Sequence, residues 1–246
     1  MDVALPWLAP GDPLPTPESA WGLDTPAPGL LAAGGSLDTE TLCRAYAQGT
    51  FPWFSNGQPI LWWAPDPRMV LQVNQFKLHP SLRKTLKKFQ NSPECSITVD
   101  KAFSRVIRTC ATQSRKGQNG TWIVPSMVEA YERLHALGVA HSVETWVDDK
   151  LVGGLYFVAL GKAVFGESMF AHVTDASKIA LAALVCIAKA QGVPWIDCQQ
   201  NTRHLASLGA AEIPRKTFVA DIQALSSEPD PLWVFESVYW SQLLSR

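Results

Sequence analysis

Polar side chains interrupt apolar strands at two places where a buried polar group needs a purpose. In VPWIDCQ (193–199) Asp197 and Gln199 follow an apolar run and stand two apart, so an extended strand points both to one face. A carboxylate beside a carboxamide reads as a hydrogen-bonded pair aimed at a substrate, or else as a strand end emerging into solvent. Glu167 breaks the apolar text of AVFGESMF (163–170) and invites a cation. Cys198 and His204 are close enough for a thiol and its base, but a small core residue in a strand accounts for Cys198 with fewer assumptions.

A second signal is electrostatic. Lys77, Arg83, Lys84, Lys87 and Lys88 fall within a dozen residues of a chain whose 21 Lys+Arg and 22 Asp+Glu leave a formal net charge of -1. Phosphate contacts and an ordinary solvated helix face both fit such a cluster. Ten tryptophans are present, and Trp53, Trp62 and Trp63 crowd into FPWFSNGQPILWWAPDPR (51–68). They provide faces for a base or an apolar ligand, or they fill a core.

Other chemistry is excluded by spacing. Neither GxGxxG nor a P-loop occurs, HExxH is missing, and the five histidines are scattered. Five cysteines without a CxxC pair argue against a disulfide framework and a zinc knuckle, so no metal is expected and the compartment reads as a reducing cytoplasm. The first basic residue is Arg44, and the longest apolar run, Ile179 to Ala188, is short of the roughly 20 residues that cross a bilayer. No leader and no membrane span are expected.

The elements that must position these groups follow from periodicity. The first 35 residues, dense in Pro and Gly, predict an irregular wrapped region. A short helix follows, capped by Ser36 or Asp38 and stopped at Gly49. The aromatic block reads as a loop, a short strand and a second loop, with a domain boundary near Asp66. Pro80 and Ser81 open a helix whose Leu82, Leu86 and Phe89 form an apolar stripe opposite the lysines. Further helices are expected over 101–111 and from a Ser126/Glu129 capping box to Gly138, the latter preceded by a flexible Gly117–Gly120 linker. Two hairpins then span His141 to Phe170, turning at Asp148-Asp149-Lys150 and Gly161-Lys162. Asp175 is placed as the cap of a long helix ending at Gly192, Val193–Gln199 as a buried strand, and Leu205–Leu208 as a short helix before an alternating apolar segment to Phe218. That order specifies an α+β fold, with 1–66 a small N-terminal domain and 67–246 a larger domain in which a helix packs on a mixed sheet.

GLLAAGGSL (29–37), AYAQGTFPWFSNGQPILWWAPDPR (45–68), GTWI (120–123), VEAYERLHALGVAHSVE (128–144), VGGLY (152–156), FGESMF (165–170), IDCQ (196–199) and HLASLGAAEIPR (204–215) together closely resemble the bacterial leucyl/phenylalanyl-tRNA–protein transferases. The Pro-rich first 28 residues, the last 30 and QNTR (200–203) depart from the pattern. The resemblance implies a C-terminal domain of the GNAT-type N-acyltransferase fold that moves Leu or Phe, less readily Met, from aminoacyl-tRNA to proteins beginning with Arg or Lys, marking them for N-end degradation. It implies no cofactor and no metal. It assigns Asp197 and Gln199 to activating the acceptor amine and puts Trp53, Trp122, Tyr131, Leu155 and Val164 near the aminoacyl pocket or terminal adenosine. On that reading the basic helix clamps the acceptor stem and Glu167 receives the acceptor's cationic side chain. Two alternatives stay open: a noncatalytic RNA- or sugar-binding module, which leaves Asp197, Gln199 and Glu167 idle, and a coenzyme A-dependent acyltransferase. The latter expects a glycine-rich loop where MFAHVTDASK (169–178) has no glycine.

Overall fold

The computed structural model describes residues 4–113 and 123–245. Its N-terminal part is a small sheet of short strands, β1 (Trp7–Leu8), β2 (Leu30–Gly34), β3 (Phe51–Pro52) and β4 (Leu61–Trp63), in the order β1-β2-β4-β3, with helix α1 (Thr39–Ala47) between β2 and β3. The aromatic block thus makes two strands, not one. Asp38 caps α1, its Oδ1 accepting the Thr41 N–H at 2.8 Å. Trp62 is fully buried and its indole N–H donates to the Gly34 carbonyl, so this member of the tryptophan cluster is core.

The larger sheet contains β5 (Arg68–Gln72), β6 (Cys95–Val99), β7 (Ala140–Val147), β8 (Lys150–Leu160), β9 (Ala163–Ala171), β10 (Trp195–Gln199) and β11 (Ala211–Ile213). Their order is β11-β5-β10-β9-β8-β7-β6, antiparallel except for the parallel pair β9–β10. The α+β class with a mixed sheet is therefore observed. Successive residues of the long strands feed opposite cores, as a period of two requires: Tyr156, Val158 and Phe165 join the layer of α3 (Phe103–Thr112) and α4 (Pro125–Ala136), while Leu155, Phe157 and Val164 join that of α5 (Ala176–Ala190). Helix α2 (Pro80–Gln90) lies on the α5 side with Leu82, Leu86 and Phe89 buried, as its stripe predicts. Gly153 permits the close seat of α5, since a Cβ there would stand 2.5 Å from Ala176 Cβ.

Several local expectations are corrected. Three strands of the large sheet, β5, β6 and β11, are absent from the predicted pattern, and the segment read as alternating to Phe218 is β11 followed by helix α7 (Arg215–Leu225). Pro125 takes the first helical position of α4 and Val124 its cap, which moves Ser126 out of capping register. Asp175 has φ 66 and makes no capping bond; its carboxylate turns to Lys178 Nζ at 2.8 Å. The Gly117–Gly120 linker lies outside the described residues.

Candidate active site

The parallel ladder between β9 and β10 is short, pairing only Ile196 with Val164 and Asp197 with Phe165. Beyond that point the strands no longer pair, and a cavity of about 510 Å³ is lined by Phe51, Trp53, Leu155, Glu167, Met169, Leu181, Leu184 and Gln199, with His204 and Leu205 among the remaining residues. Most of that wall is apolar, and the polar groups converge at the divergence of the strands.

Asp197 and Gln199 meet there, but not as a period of two expects. The register shifts between them, and Gln199 adopts φ 56, a left-handed conformation uncommon for a residue with a side chain. Asp197 does not hold the carboxamide. Its Oδ1 accepts the Gln199 backbone N–H at 2.9 Å, while Gln199 Nε2 donates to the Gly166 carbonyl at 2.7 Å and lies 3.4 Å from Glu167 Oε1. Among the described residues no protein donor is bonded to Gln199 Oε1, which leaves an acceptor available at the cavity. The Asp197 side chain is fully buried in a bidentate ion pair with Arg68, Nε to Oδ1 at 2.8 Å and Nη2 to Oδ2 at 2.7 Å. Sequence reasoning missed Arg68. The one available signal was an arginine directly followed by Met69-Val70-Leu71, a charge entering an apolar strand.

Glu167 faces the cavity from β9. Tyr46 of α1 donates to its Oε1 at 2.7 Å, Tyr131 of α4 lies 3.3 Å from Oε2, and the two phenol oxygens are also in hydrogen-bond contact, so two O–H protons are shared among three contacts. Burial pushes the carboxyl up to about 7, helped by the Asp197 charge and opposed by the phenol hydrogen bonds and by Arg68. Both phenols are raised above the ordinary tyrosine range, chiefly by burial. Tyr131 is thus a buried support behind Glu167, not part of the cavity lining. Val164 is likewise fully buried one layer in, whereas Leu155 and Trp53 do line the cavity. Trp53 is half-buried and held edge-on to Trp63, 5.3 Å between ring centres, with Trp63 Nε1 donating to the Trp53 carbonyl at 2.7 Å. Trp122 lies outside the described residues.

The segment that leads into the basic helix is tied to the element that carries His204 and Leu205 of the cavity lining. Lys77 N–H donates to the Leu208 carbonyl at 2.8 Å, and the His79 ring lies 2.7 Å from the Ser207 carbonyl; this ties the start of α2 to α6 (Arg203–Ser207) and the turn after it. Lys77, Lys84, Lys87 and Lys88 are exposed. Arg83 is not free in the same way: its Nη1 donates to the Leu243 and Leu244 carbonyls at 3.1 and 3.3 Å. Cys198 and His204 both line the cavity without forming a nucleophile and base: burial drives the thiol far above its usual range, and Sγ contacts the Ile196 carbonyl. Among the described residues no three His, Cys, Asp or Glu side chains converge as a metal site, and no helix is long and apolar enough to cross a membrane.

A profile described as leucyl/phenylalanyl-tRNA protein transferase matches residues 70–223, and one described as the N-terminal domain of that protein matches residues 35–66. Among curated proteins, the leucyl/phenylalanyl-tRNA–protein transferase of Polaromonas sp. (strain JS666 / ATCC BAA-500) is 63% identical, covering 98% of this chain and 94% of its own. That of Albidiferax ferrireducens is 59% identical over 98% of this chain and 95% of its own. Among solved structures, L-PGS from Bacillus licheniformis covers 87% of this chain and 71% of its own at 11% identity with a TM-score of 0.40, too distant to bear on the fold.

Proposed function

The chain belongs to the leucyl/phenylalanyl-tRNA–protein transferase family and is an aminoacyl-tRNA-dependent transferase, and from that premise we propose that its acceptors are proteins beginning with Arg or Lys. The observation that carries this reading is the cavity itself, with an apolar wall and, at one end, an available carboxamide oxygen beside a carboxylate. Its volume of about 510 Å³ suits a Leu, Phe or Met side chain together with part of the terminal adenosine. Trp53 supplies a face for either. A pocket narrow at Cβ rejects Ile and Val, by roughly 1–3 kcal/mol per misplaced methylene, so the selectivity is graded.

The reaction is aminolysis. The acceptor's α-amine attacks the ester carbonyl, a tetrahedral oxyanion forms, and the ribose oxygen of the terminal adenosine leaves. An α-amine titrates near about 7.7–8.0, so a useful fraction is neutral without a strong base, and alignment of two bound substrates can supply effective molarities of about 10⁵ M or more. Gln199 Oε1 accepts from the amine and orients it, a role a carboxamide can fill although it is too weakly basic to hold the proton. Glu167, ionised, pairs with the Arg or Lys side chain, and desolvation makes that pairing discriminate against neutral residues. Lys77, Lys84, Lys87 and Lys88, with Arg83 tethered among them, contact acceptor-stem phosphates without reading sequence.

The parting of β9 from β10 and the helix α5 after β9 support a GNAT-type architecture for residues 67–246, with 1–66 as the smaller domain and a boundary near Asp66. In that setting the modified proteins enter N-end degradation in the cytoplasm. The testing experiment incubates the protein with radiolabelled leucyl-tRNA and peptides beginning with Arg, Lys, Ala or Asp, without ATP or coenzyme A. Leucine should pass to the Arg and Lys peptides; equal transfer to the Ala peptide overturns the acceptor assignment.

A further inference from the structure

We propose that Arg68 is the positioning residue of this site: through Asp197 it fixes the turn that presents Gln199, with Asp197 serving as an anchor and not as a base. The inference rests on the reading of Gln199 as the group that orients the amine. The Arg68 and Asp197 side chains are 1% and 0% exposed. Two parallel N–H donors meet the two carboxylate oxygens at 2.8 and 2.7 Å, the planar fork that only arginine makes. The remaining guanidinium nitrogen, Nη1, donates to the Gly49 carbonyl at 3.0 Å. The guanidinium also packs against the rings of Phe51 and Phe218, 4.8 and 4.5 Å from their centres. A single cation therefore joins β5, the turn after α1, β3, α7 and the end of β10, and Phe51 is itself part of the cavity wall.

Stability does not account for such a pair. Apolar residues of similar volume often hold a core as well as a buried ion pair or better, so its geometry is what needs a reason. That reason lies one bond further on. Asp197 Oδ1 accepts the Gln199 N–H as well as Arg68 Nε–H, at the residue where the ladder slips and φ is 56. A left-handed conformation at a residue with a side chain persists only when its surroundings over-determine it. The rotation and tilt of the Asp197 carboxylate, set by the Arg68 fork, decide where the Gln199 amide sits, and the Gly166 carbonyl then fixes the side chain. Both Asp197 oxygens already accept from Arg68, and Oδ1 from the Gln199 N–H as well, which suits the carboxylate to anchoring and not to taking the proton of an incoming amine.

The test compares wild type, Arg68→Lys and the charge-free pair Arg68→Met with Asp197→Leu. Leucyl-tRNA affinity, peptide KM and the single-turnover transfer rate are measured, with rates normalised to the folded fraction from near-UV circular dichroism. Arg68→Lys keeps the charge but not the fork; its normalised rate should fall at least tenfold, with peptide KM and leucyl-tRNA affinity within about twofold of wild type. The charge-free pair should still melt cooperatively yet transfer at least a hundredfold more slowly per folded molecule. A wild-type normalised rate in either variant, or a loss confined to leucyl-tRNA affinity, overturns the proposal. Gln199→Ala run alongside tests the underlying reading separately, because full activity there removes Gln199 from the mechanism whatever Arg68 does.

Discussion

Acidification from pH 8 to pH 6 should weaken the binding of an Arg-starting peptide while leaving leucyl-tRNA binding unchanged. The group responsible is Glu167, faced by Tyr46 from α1, Tyr131 from α4, Arg68 from β5, and Asp197 and Gln199 from β10. Burial is the largest influence on it and places its midpoint at about 7. The ionised fraction then falls from about nine-tenths at pH 8 to about one-tenth at pH 6, so the peptide Kd should rise about tenfold. Stability should move in the opposite sense. A carboxyl raised from 4.5 to about 7 binds its proton more tightly folded than unfolded. Its contribution is fully present below pH 4.5 and is lost as pH rises through 7, a change on the order of 3 kcal/mol. The assay is peptide binding to the tRNA-free protein and thermal melting, each across pH 5 to 8.5, in wild type and Glu167→Gln. The variant should bind the Arg peptide weakly at every pH and lose this part of the melting profile; comparison with it also cancels the titration of the peptide's own α-amine. An Arg-peptide Kd with the same pH slope in both proteins would refute the assignment.

Replacing Lys84 and Lys88 by Glu should weaken tRNA binding and lower the salt slope by about one per lost phosphate contact, whereas Arg83→Glu should also lower the melting temperature, because that guanidinium holds the Leu243 and Leu244 carbonyls. Filter binding between 50 and 300 mM salt checks both, and an unchanged slope returns the helix to the role of a solvated face. Gln199→Ala should reduce single-turnover transfer by about ten- to a hundredfold, and Gln199→Glu should do no better, because it sets a carboxylate oxygen against the Gly166 carbonyl and Glu167 where Nε2 donates; a wild-type rate in Gln199→Ala excludes a hydrogen-bond role for Oε1.

What local text can encode was legible. The β7–β9 meander follows from alternation punctuated by Asp148-Asp149-Lys150 and Gly161-Lys162, and the buried face of α2 from Leu82, Leu86 and Phe89. Strands β5, β6 and β11 were not, since each is short and its partner is distant in the chain, so nothing nearby identifies it. At the site, Asp197, Gln199 and Glu167 stood out as polar breaks in apolar strands and do converge. Their relation was misread because a period of two fails at a register shift, and φ 56 at Gln199 has no glycine to announce it. Nothing in the spacing singles out Tyr46, yet its hydroxyl is a principal partner of Glu167. Arg68 was invisible for the converse reason: a charged residue is taken for surface unless its partner is known, and the partner is 129 positions away.

That separation bears on how the molecule comes to be active. The meander β7–β8–β9 pairs strands that are neighbours in sequence through tight turns, whereas β5 enters the sheet by inserting between β10 and β11. Pairings over such distances bear their loop-closure entropy before any contact repays it, and they form slowly. The Arg68 contact that holds the end of β10 is therefore made after the meander has formed. In refolding from denaturant, helical signal should return before aminoacyl transfer does, the lag measuring the docking of β5, and a half-folded copy can carry most of the sheet while having no means to join an amino acid to anything.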